Sequence, residues 1–217
     1  MSEYKSGKGS FMKQSVKAII SAVVGILFVG IGVAFNNCAG LGNDSIGIVY
    51  DGVRNTAKLT TEQLGTASNY INFGIATILF FISRKYISIG TLIYVLPYGF
   101  FVSLGTGLYN LLSLPETILF RALVATVGSL LLYLGVAIFI ATDIGVDPFT
   151  GIVMVIKDKT NKEYAPIKIM FDILMIIIGI ILGGKFGIIT LITALTAGPV
   201  IQFFTKKVGK ILKFEGR

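Results

Sequence analysis

Six long stretches of mostly apolar residues dominate the sequence and restrict the chain to folds that are embedded in a membrane. A helix needs about 20 such residues to cross about 30 Å of hydrocarbon. We predict helices over residues 16–36, 66–84, 88–108, 118–141, 166–184 and 186–205, the fifth of which spans only if Lys168 and Asp172 are tolerated. With 54% hydrophobic and 14% charged residues, the chain has too little polar surface to cover a soluble globule. The expected fold is an all-α polytopic membrane protein with six transmembrane helices.

The distribution of basic residues predicts how the chain is oriented. If the six spans alternate in direction, 15 of the 19 Lys and Arg residues fall on the side that holds both termini. Because basic residues concentrate on the cytoplasmic side, we expect residues 1–15 and 206–217 to form cytoplasmic tails of a protein of the bacterial cytoplasmic membrane. Basic segments against anionic lipid also explain the net charge of +8, so no nucleic-acid partner is expected.

The composition also excludes several kinds of chemistry. Histidine is absent, which removes Ser-His-Asp triads and histidine-based zinc sites. The single cysteine, Cys38, excludes an intrachain disulfide and a CxxC motif. We therefore expect a protein that is not an enzyme and that carries no cofactor and no metal.

An internal repeat relates the two halves of the chain. A shift of 103 positions gives eight identities over residues 24–44, among them Gly42 on Gly145 and Asp44 on Asp147. A second block aligns at a shift of 99 and places Thr91 on Thr190. These matches predict two three-helix repeats, residues 16–110 and 118–205. Because each repeat has an odd number of spans, the halves must be inverted relative to each other, as in many secondary transporters.

Two Gly-rich segments break the pattern of spans, one after the first predicted helix and one after the fourth. Asp147 and Pro148 form a strong helix start, with Asp at the N-cap and Pro at the first helical position. Asp44 followed by Ser45 is a weaker start of the same kind. The short apolar runs 45–53 and 148–156 are expected to form half-helices that lie in or dip into the membrane.

Such half-helices make Asp147 and Asp44 candidates for binding a substrate or an ion, because helix N-termini and carboxylates at membrane depth are suited to this role. The alternative is that both side chains only cap helices in solvated loops. Asp172 lies four residues after Lys168, so it either pairs with that lysine at the cytoplasmic rim or carries ions through the pathway.

Polar residues inside the predicted spans complete the candidate site. Asn72, with Asn69, and the repeat-related Thr91 and Thr190 either line the interior or form hydrogen bonds between helices.

The sequence Gly145-Val146-Asp147-Pro148-Phe149-Thr150, together with Ala197-Gly198-Pro199, resembles the YczE/YyaS/YitT family of bacterial membrane proteins. The resemblance implies a multi-pass protein of the cytoplasmic membrane, of a kind often presumed to transport solutes, whose half-helix and packing motif comprises Gly145, Pro148, Phe149, Gly198 and Pro199. The family usually has Trp where Phe149 stands. The chain ends without the soluble C-terminal domain of the YitT branch, which places it nearer the YczE and YyaS members.

We therefore expect a small secondary transporter or permeation pathway in the lipid bilayer, with a small molecule or ion as substrate and a possible homodimeric state. An anionic or zwitterionic solute is favoured by the half-helix N-termini and by basic Arg54, Lys58 and Arg121 on the outer side. One alternative is the substrate-binding membrane subunit of an energy-coupling-factor importer, which Ala18-x-x-x-Ala22 faintly matches. Another is a non-transporting membrane assembly factor.

Overall fold

The computed structural model describes residues 2–212, with side chains described from residue 16 onward. Two single turns of 3-10 helix, Thr61–Gln63 and Arg84–Tyr86, accompany the α-helices of this part of the chain. These α-helices are α1 (Ser2–Ala39), α2 (Gly47–Thr56), α3 (Leu64–Ile82), α4 (Ile89–Leu112), α5 (Ile118–Thr142), α6 (Pro148–Thr160), α7 (Tyr164–Ile181) and α8 (Ile188–Leu212).

Six of these helices are long and apolar enough to cross a membrane, which confirms the predicted all-helical architecture with six apolar spans. The boundaries differ from the predictions at several ends. Helix α1 begins at Ser2 rather than at residue 16, and α8 continues to Leu212 rather than ending at residue 205. Helix α7 ends at Ile181 because Gly183 takes a positive φ of 81°, which stops the helix.

Helices α1 and α5 form the centre of the bundle and run antiparallel. Gly25 faces Gly135, and one heptad later Gly32 faces Gly128, so the contact moves forward along α1 and backward along α5. These glycines bring the two backbones so close that a Cβ on Gly25 would lie 2.8 Å from the Gly135 oxygen. Small residues at such crossings allow close packing where lipid supplies no hydrophobic driving force.

The remaining long helices pack around this central pair. Helix α4 packs against α1 and runs parallel to it, since Gly30 faces Phe101 and Ala34 faces Gly105. Helix α8 packs against α5, and α3 packs against α4. Large apolar side chains cover the outer faces of the helices; Phe81 and Leu195 are each 80% exposed, as expected for surfaces that contact lipid.

The connections between helices gather at two ends of the bundle. At one end, Arg121 Nε donates to the carbonyl of Ala39 at 2.7 Å, joining the start of α5 to the end of α1. At the other end, Lys85 and Asp158 form an ion pair at 2.8 Å, joining the segment after α3 to α6. Helix α2 follows α1 from the first end, and α6 ends at the second, so the two short helices connect to opposite ends of the bundle.

Each short helix starts part of the way along a long helix and runs to an end of the bundle. Ser45, just before α2, donates to Asp172 in the middle of α7 at 2.7 Å, whereas Thr56 at the end of α2 donates to the carbonyl of Leu182 at 3.0 Å. Helix α6 similarly packs against α3 and α7 and ends beside the Lys85 segment. The observed ranges, 47–56 and 148–160, are slightly longer than the predicted half-helices.

Candidate functional site

Six aromatic rings from both halves of the chain meet between the two short helices. We call this group the aromatic cluster. Neighbouring ring centroids lie 5.1–6.3 Å apart, and every ring except Phe171 is buried. The cluster consists of Tyr50 of α2, Tyr94 and Tyr98 of α4, Phe139 of α5, Phe149 of α6 and Phe171 of α7. It therefore contacts both predicted half-helices at once.

A buried polar contact adjoins the aromatic cluster. The hydroxyl of Tyr50 donates to Asn72 Oδ1 at 3.0 Å, and Asn72 is fully buried with no described partner for its Nδ2. Asn69, one turn earlier, accepts a hydrogen bond from the Gly99 amide at 2.8 Å and so joins α3 to α4. Of the two asparagines, Asn72 thus lies at the candidate site and Asn69 holds helices together.

Asp147 begins α6 as the sequence predicts. Its Oδ1 accepts from the Thr150 amide at 3.0 Å, and Pro148 occupies the first helical position. Asp147 also lines a cavity of about 90 Å³ beside the aromatic cluster, together with Tyr94, Phe139 and residues of α5 and the α5–α6 loop. Because sites for drug-sized ligands have volumes of about 300–1,000 Å³, this cavity fits only a small chemical group.

Asp44 differs from Asp147, because it lies two residues before the N-cap of its short helix and not at the N-cap. The N-cap of α2 is Ile46, and Asp44 Oδ2 instead accepts from the Ile46 amide at 3.2 Å. This two-residue hydrogen bond is an Asx turn, which short polar side chains form in competition with helix capping. The buried carboxylate also faces the backbone amide of Gly47, at the first residue of α2.

Asp172 forms the predicted ion pair with Lys168, one helical turn away. It also has a contact that sequence reasoning missed, because its Oδ1 accepts from the Ser45 hydroxyl at 2.7 Å. Both members of the pair are partly buried. Asp172 therefore fixes the start of α2 against α7.

Thr91 and Thr190 hold the loops that lead into the two short helices. Thr190 Oγ1, at the start of α8, accepts from the Asn43 amide at 3.2 Å. Thr91 Oγ1, at the start of α4, donates to the Val146 carbonyl at 2.9 Å. Each threonine thus binds a loop from the other half of the chain. The predicted hydrogen bonds between segments are present, and neither threonine lies in the cavity lining beside Asp147.

Glycines at the same two loops permit this close approach. Gly42 has a φ of 109°, and a Cβ there would lie 2.6 Å from Thr190 Oγ1. A Cβ on Gly145 would collide with the Ser88 hydroxyl at the start of α4. Gly145 is therefore required for packing, as the motif implies.

The other motif residues lie in two different environments, one buried and one exposed. Phe149 is buried in the aromatic cluster, with its ring 6.0 Å from Tyr50. Gly198 and Pro199 lie on an exposed face of α8, and a Cβ on Gly198 would have no described atom within 4 Å apart from its own helix and chain neighbours. The structure therefore gives Gly198 no role in close packing.

A buried ion pair between Asp51 and Arg54 was not predicted. Arg54 Nη2 lies 2.9 Å from Asp51 Oδ1, and the Lys185 amide donates to Asp51 Oδ2 at 2.8 Å. Arg54 is therefore neutralised and is not available to attract anions, contrary to the expectation from sequence. Opposite charges three residues apart on a short helix were the signal that could have identified the pair.

The other residues missed from sequence are buried tyrosines and amides. Tyr94 and Tyr98 lie four residues apart on α4 and stack at 5.1 Å. Asn36, Asn37 and Asn43 are fully buried, and each has at least one side-chain atom without a described partner. An adjacent pair of asparagines near the end of an apolar span is an unusual feature that could have been recognised, because polar groups are costly at membrane depth. No group of three or more potential His, Cys, Asp or Glu metal ligands occurs among the described residues.

Comparisons with known proteins place the chain in a family without assigning a function. Residues 16–206 match the family described as "Family of unknown function (DUF6198)". An uncharacterized protein of Haemophilus influenzae is 23% identical over 195 residues, which cover 90% of this chain and 86% of the relative. No solved structure matches. Because the match covers nearly the whole chain, the protein belongs to the family of unknown function DUF6198.

Proposed function

We propose that the protein is a small secondary transporter for an anionic or zwitterionic solute, with its site between two re-entrant half-helices. The observation that carries this proposal is the meeting of both short-helix N-termini on one turn of α7. Ser45, before α2, bonds to Asp172, while the ring of Phe149, in the first turn of α6, lies 6.3 Å from that of Phe171. Two helix N-termini that face each other across a buried cluster are the arrangement expected at a transporter midplane.

The depth of this meeting point supports the re-entrant assignment. Asp172 lies nine residues before the end of α7, which corresponds to about 13 Å along the helix axis. Since the hydrocarbon core is about 30 Å thick, α2 would begin near the middle of the membrane and return to the side where α1 ends. By the same reasoning, α6 would return to the opposite side.

Equivalent contacts in the two halves support the inverted repeat. The Ile189 amide donates to the Leu41 carbonyl at 3.0 Å, and the equivalent Gly90 amide donates to the Ile144 carbonyl at 3.2 Å. The antiparallel packing of α1 on α5 relates the same two halves. Each half thus holds the re-entrant loop of the other, which would couple the two loops when one half moves against the other.

The chemistry around the cavity favours a zwitterion within this substrate class. Asp147 lines the cavity and supplies a carboxylate for an ammonium group, and the positive end of the α6 dipole suits a carboxylate or phosphate. The aromatic cluster would contact an apolar part of the solute. The small cavity fits a compact solute, with further space opening as the halves move.

The likeness of the Gly145–Thr150 segment to the YczE/YyaS branch is consistent with this proposal, which places the protein in the bacterial cytoplasmic membrane with both termini inside. The importer-subunit alternative gains no support, because Ala18 and Ala22 are buried within the chain and offer no docking surface for a partner.

Thermal unfolding of the purified protein in detergent, screened against small zwitterionic and anionic metabolites, tests the proposal, since a ligand stabilises the state it binds. Hits are then tested for uptake into vesicles that contain the protein. Asp147→Asn keeps a helix-capping oxygen but removes the charge, so we expect normal amounts of folded protein and at least about tenfold weaker binding or flux. The control Glu116→Gln, in an exposed loop, should match the wild type.

Two results would contradict the proposal. A loss of folded Asp147→Asn protein that accounts for all of the lost binding would assign Asp147 a capping role only. Wild-type vesicles without flux for any compound that stabilises the protein would favour a role other than transport.

A further inference from the structure

An apolar groove of about 320 Å³ lies on the outer face of the bundle between α3 and α4. Its lining includes Phe80 and Phe81 of α3 and Leu92 and Leu96 of α4, all of which are exposed. The groove shares no lining residue with the cavity beside Asp147. Its volume is within the range of ligand-binding pockets, so we consider what it could hold.

The groove occupies the part of the α3–α4 pair next to the connection, residues 83–88, that joins the two helices. Farther from this connection the backbones lie in close contact, because a Cβ on Gly99 would lie 2.2 Å from the Gly65 oxygen. Toward the connection most lining side chains are large and apolar, so the helices approach less closely and leave space between them. Ile87, within the connection, lines the end of the groove.

The lining suits a hydrocarbon chain and not a polar ligand. Two polar side chains line the groove, and both hydroxyls already donate within the protein. Thr77 donates to the Phe73 carbonyl at 2.8 Å, and Thr91 donates to the Val146 carbonyl at 2.9 Å. No charged side chain of the described residues lines the groove. A bound polar group would therefore lose hydrogen bonds to water without gaining equivalent ones.

The length of the groove matches one leaflet of a bilayer. Phe73 and Phe80, which both line it, lie seven residues apart on α3, or about 10 Å along the helix axis. One leaflet contributes about half of the roughly 30 Å hydrocarbon core. The groove therefore runs from the end of the bundle through most of one leaflet, which is the depth reached by a lipid acyl chain.

A cation without a counter-charge lies at the end of the groove. The guanidinium of Arg84 lies over the ring of Phe80, with Cζ 4.6 Å from the ring centroid. Arg84 is exposed and forms no ion pair with the described residues, whereas the adjacent Lys85 pairs with Asp158 at 2.8 Å. A guanidinium can donate two parallel hydrogen bonds to a phosphate, which makes it the side chain best suited to this group.

We infer that the groove binds an acyl chain of an anionic phospholipid whose phosphate pairs with Arg84. Lipid that only surrounds the bundle would contact every exposed apolar face without regard to its headgroup. An apolar groove that ends at an uncompensated cation instead predicts a preference for a negatively charged headgroup over a zwitterionic one, because the positive charge of a zwitterionic headgroup opposes Arg84.

Thermal unfolding of the purified full-length protein in a neutral detergent tests this inference. Phosphatidylglycerol is titrated against phosphatidylcholine with the same acyl chains, and we expect saturable stabilisation by phosphatidylglycerol at lower concentrations. Arg84→Gln should raise the apparent Kd of phosphatidylglycerol about fivefold or more, which is the scale for one basic residue beside an anionic headgroup. Ala76→Phe, which places a ring in the groove, should weaken the binding of both lipids.

Two variants supply matched controls. Lys207 also lies over an exposed ring, with Nζ 4.5 Å from the centroid of Phe203, but neither residue lines the groove. Lys207→Gln therefore removes an equivalent charge elsewhere. Ala122→Phe adds a ring at an exposed position of α5. Both variants should bind phosphatidylglycerol as the wild type does.

Equal stabilisation by the two lipids, or an effect of phosphatidylglycerol that is unchanged in Arg84→Gln, would overturn the inference. Stabilisation by glycerol phosphate alone would assign a free anion to Arg84 and not a lipid. A dimer in native mass spectrometry that Ala76→Phe dissociates, without any change in lipid binding, would make the groove a contact between copies of the chain. If Ala76→Phe does not fold, the comparison of Arg84→Gln with Lys207→Gln decides. Because no flux is measured, failure here leaves the transport proposal standing, and failure of transport leaves the lipid site standing.

Discussion

The buried ion pair between Asp51 and Arg54 gives a sharp test of the packing of α2. Asp51 is fully buried and Arg54 is 6% exposed. Asp51 accepts from Arg54 Nε at 3.0 Å, from Arg54 Nη2 at 2.9 Å and from the Lys185 amide at 2.8 Å. Asp51→Asn would leave the guanidinium buried without a counter-charge and would turn an amide group toward a donor.

Breaking a buried pair by removing one partner costs about 3–5 kcal/mol. Arg54 keeps hydrogen bonds to the Leu59 carbonyl and the Asn55 side chain, both at 2.9 Å, which places the expected loss near about 3 kcal/mol. At about 2–4 °C per kcal/mol for a chain of this size, the melting temperature in detergent should fall by about 6–12 °C. The double variant Asp51→Asn with Arg54→Met removes both charges and should be more stable than Asp51→Asn alone.

The exposed pair Lys85–Asp158 supplies the control, because the same change there, Asp158→Asn, should leave the melting temperature unchanged. A loss for Asp51→Asn below about 1 kcal/mol, the range of solvent-exposed pairs, would mean that water reaches the pair. A double variant less stable than Asp51→Asn would show that the charge of Arg54 is compensated in another way. Either result would refute the reasoning from burial.

Three further predictions follow from the same contacts. Gly42→Ala should lose about 1–3 kcal/mol of stability by thermal unfolding, because its φ of 109° and its contact with Thr190 exclude a Cβ. Gly198→Ala should lose none, because a Cβ there has no described neighbour within 4 Å outside its own helix and chain neighbours. Equal effects of the two changes would contradict the packing account. Thr190→Val should cost about 1–3 kcal/mol, since the Asn43 and Gly187 amides lose their acceptor, whereas Thr190→Ser should restore the wild-type melting temperature. In a cysteine-free background, an impermeant maleimide should label exposed Lys58→Cys in intact cells and Lys159→Cys only after permeabilisation; the reverse order would invert the proposed orientation.

Local sequence signals determined the spans and one of the two short-helix starts. The length of the apolar segments alone located six helices, because a segment in lipid must pair its backbone N–H and C=O groups within itself. Asp147 and Pro148 were sufficient to place the start of α6, since capping and a fixed φ act within one turn. The pairing of Lys168 with Asp172 followed from helical spacing for the same reason.

The long-range contacts around the short helices could not be predicted from local sequence signals. Asp44 resembles Asp147 in sequence, yet it forms an Asx turn, because the loop before α2 is fixed by Thr190 and Asp172 from the other half of the chain. Arg54 reads as a free basic residue in an outer loop, and only its burial against Asp51 and α7 changes that assignment.

The sequence by itself thus determined that the chain is a helical protein with six apolar spans, because hydrophobic length and helix capping are encoded by neighbouring residues. Only the tertiary structure decided which polar groups share a site. Tyr50, Asn72 and Phe149 lie on three different helices, and they meet because α2 and α6 both pack against α3. Such proximity depends on how whole helices pack, so it cannot be predicted from the spacing of neighbouring residues in the sequence.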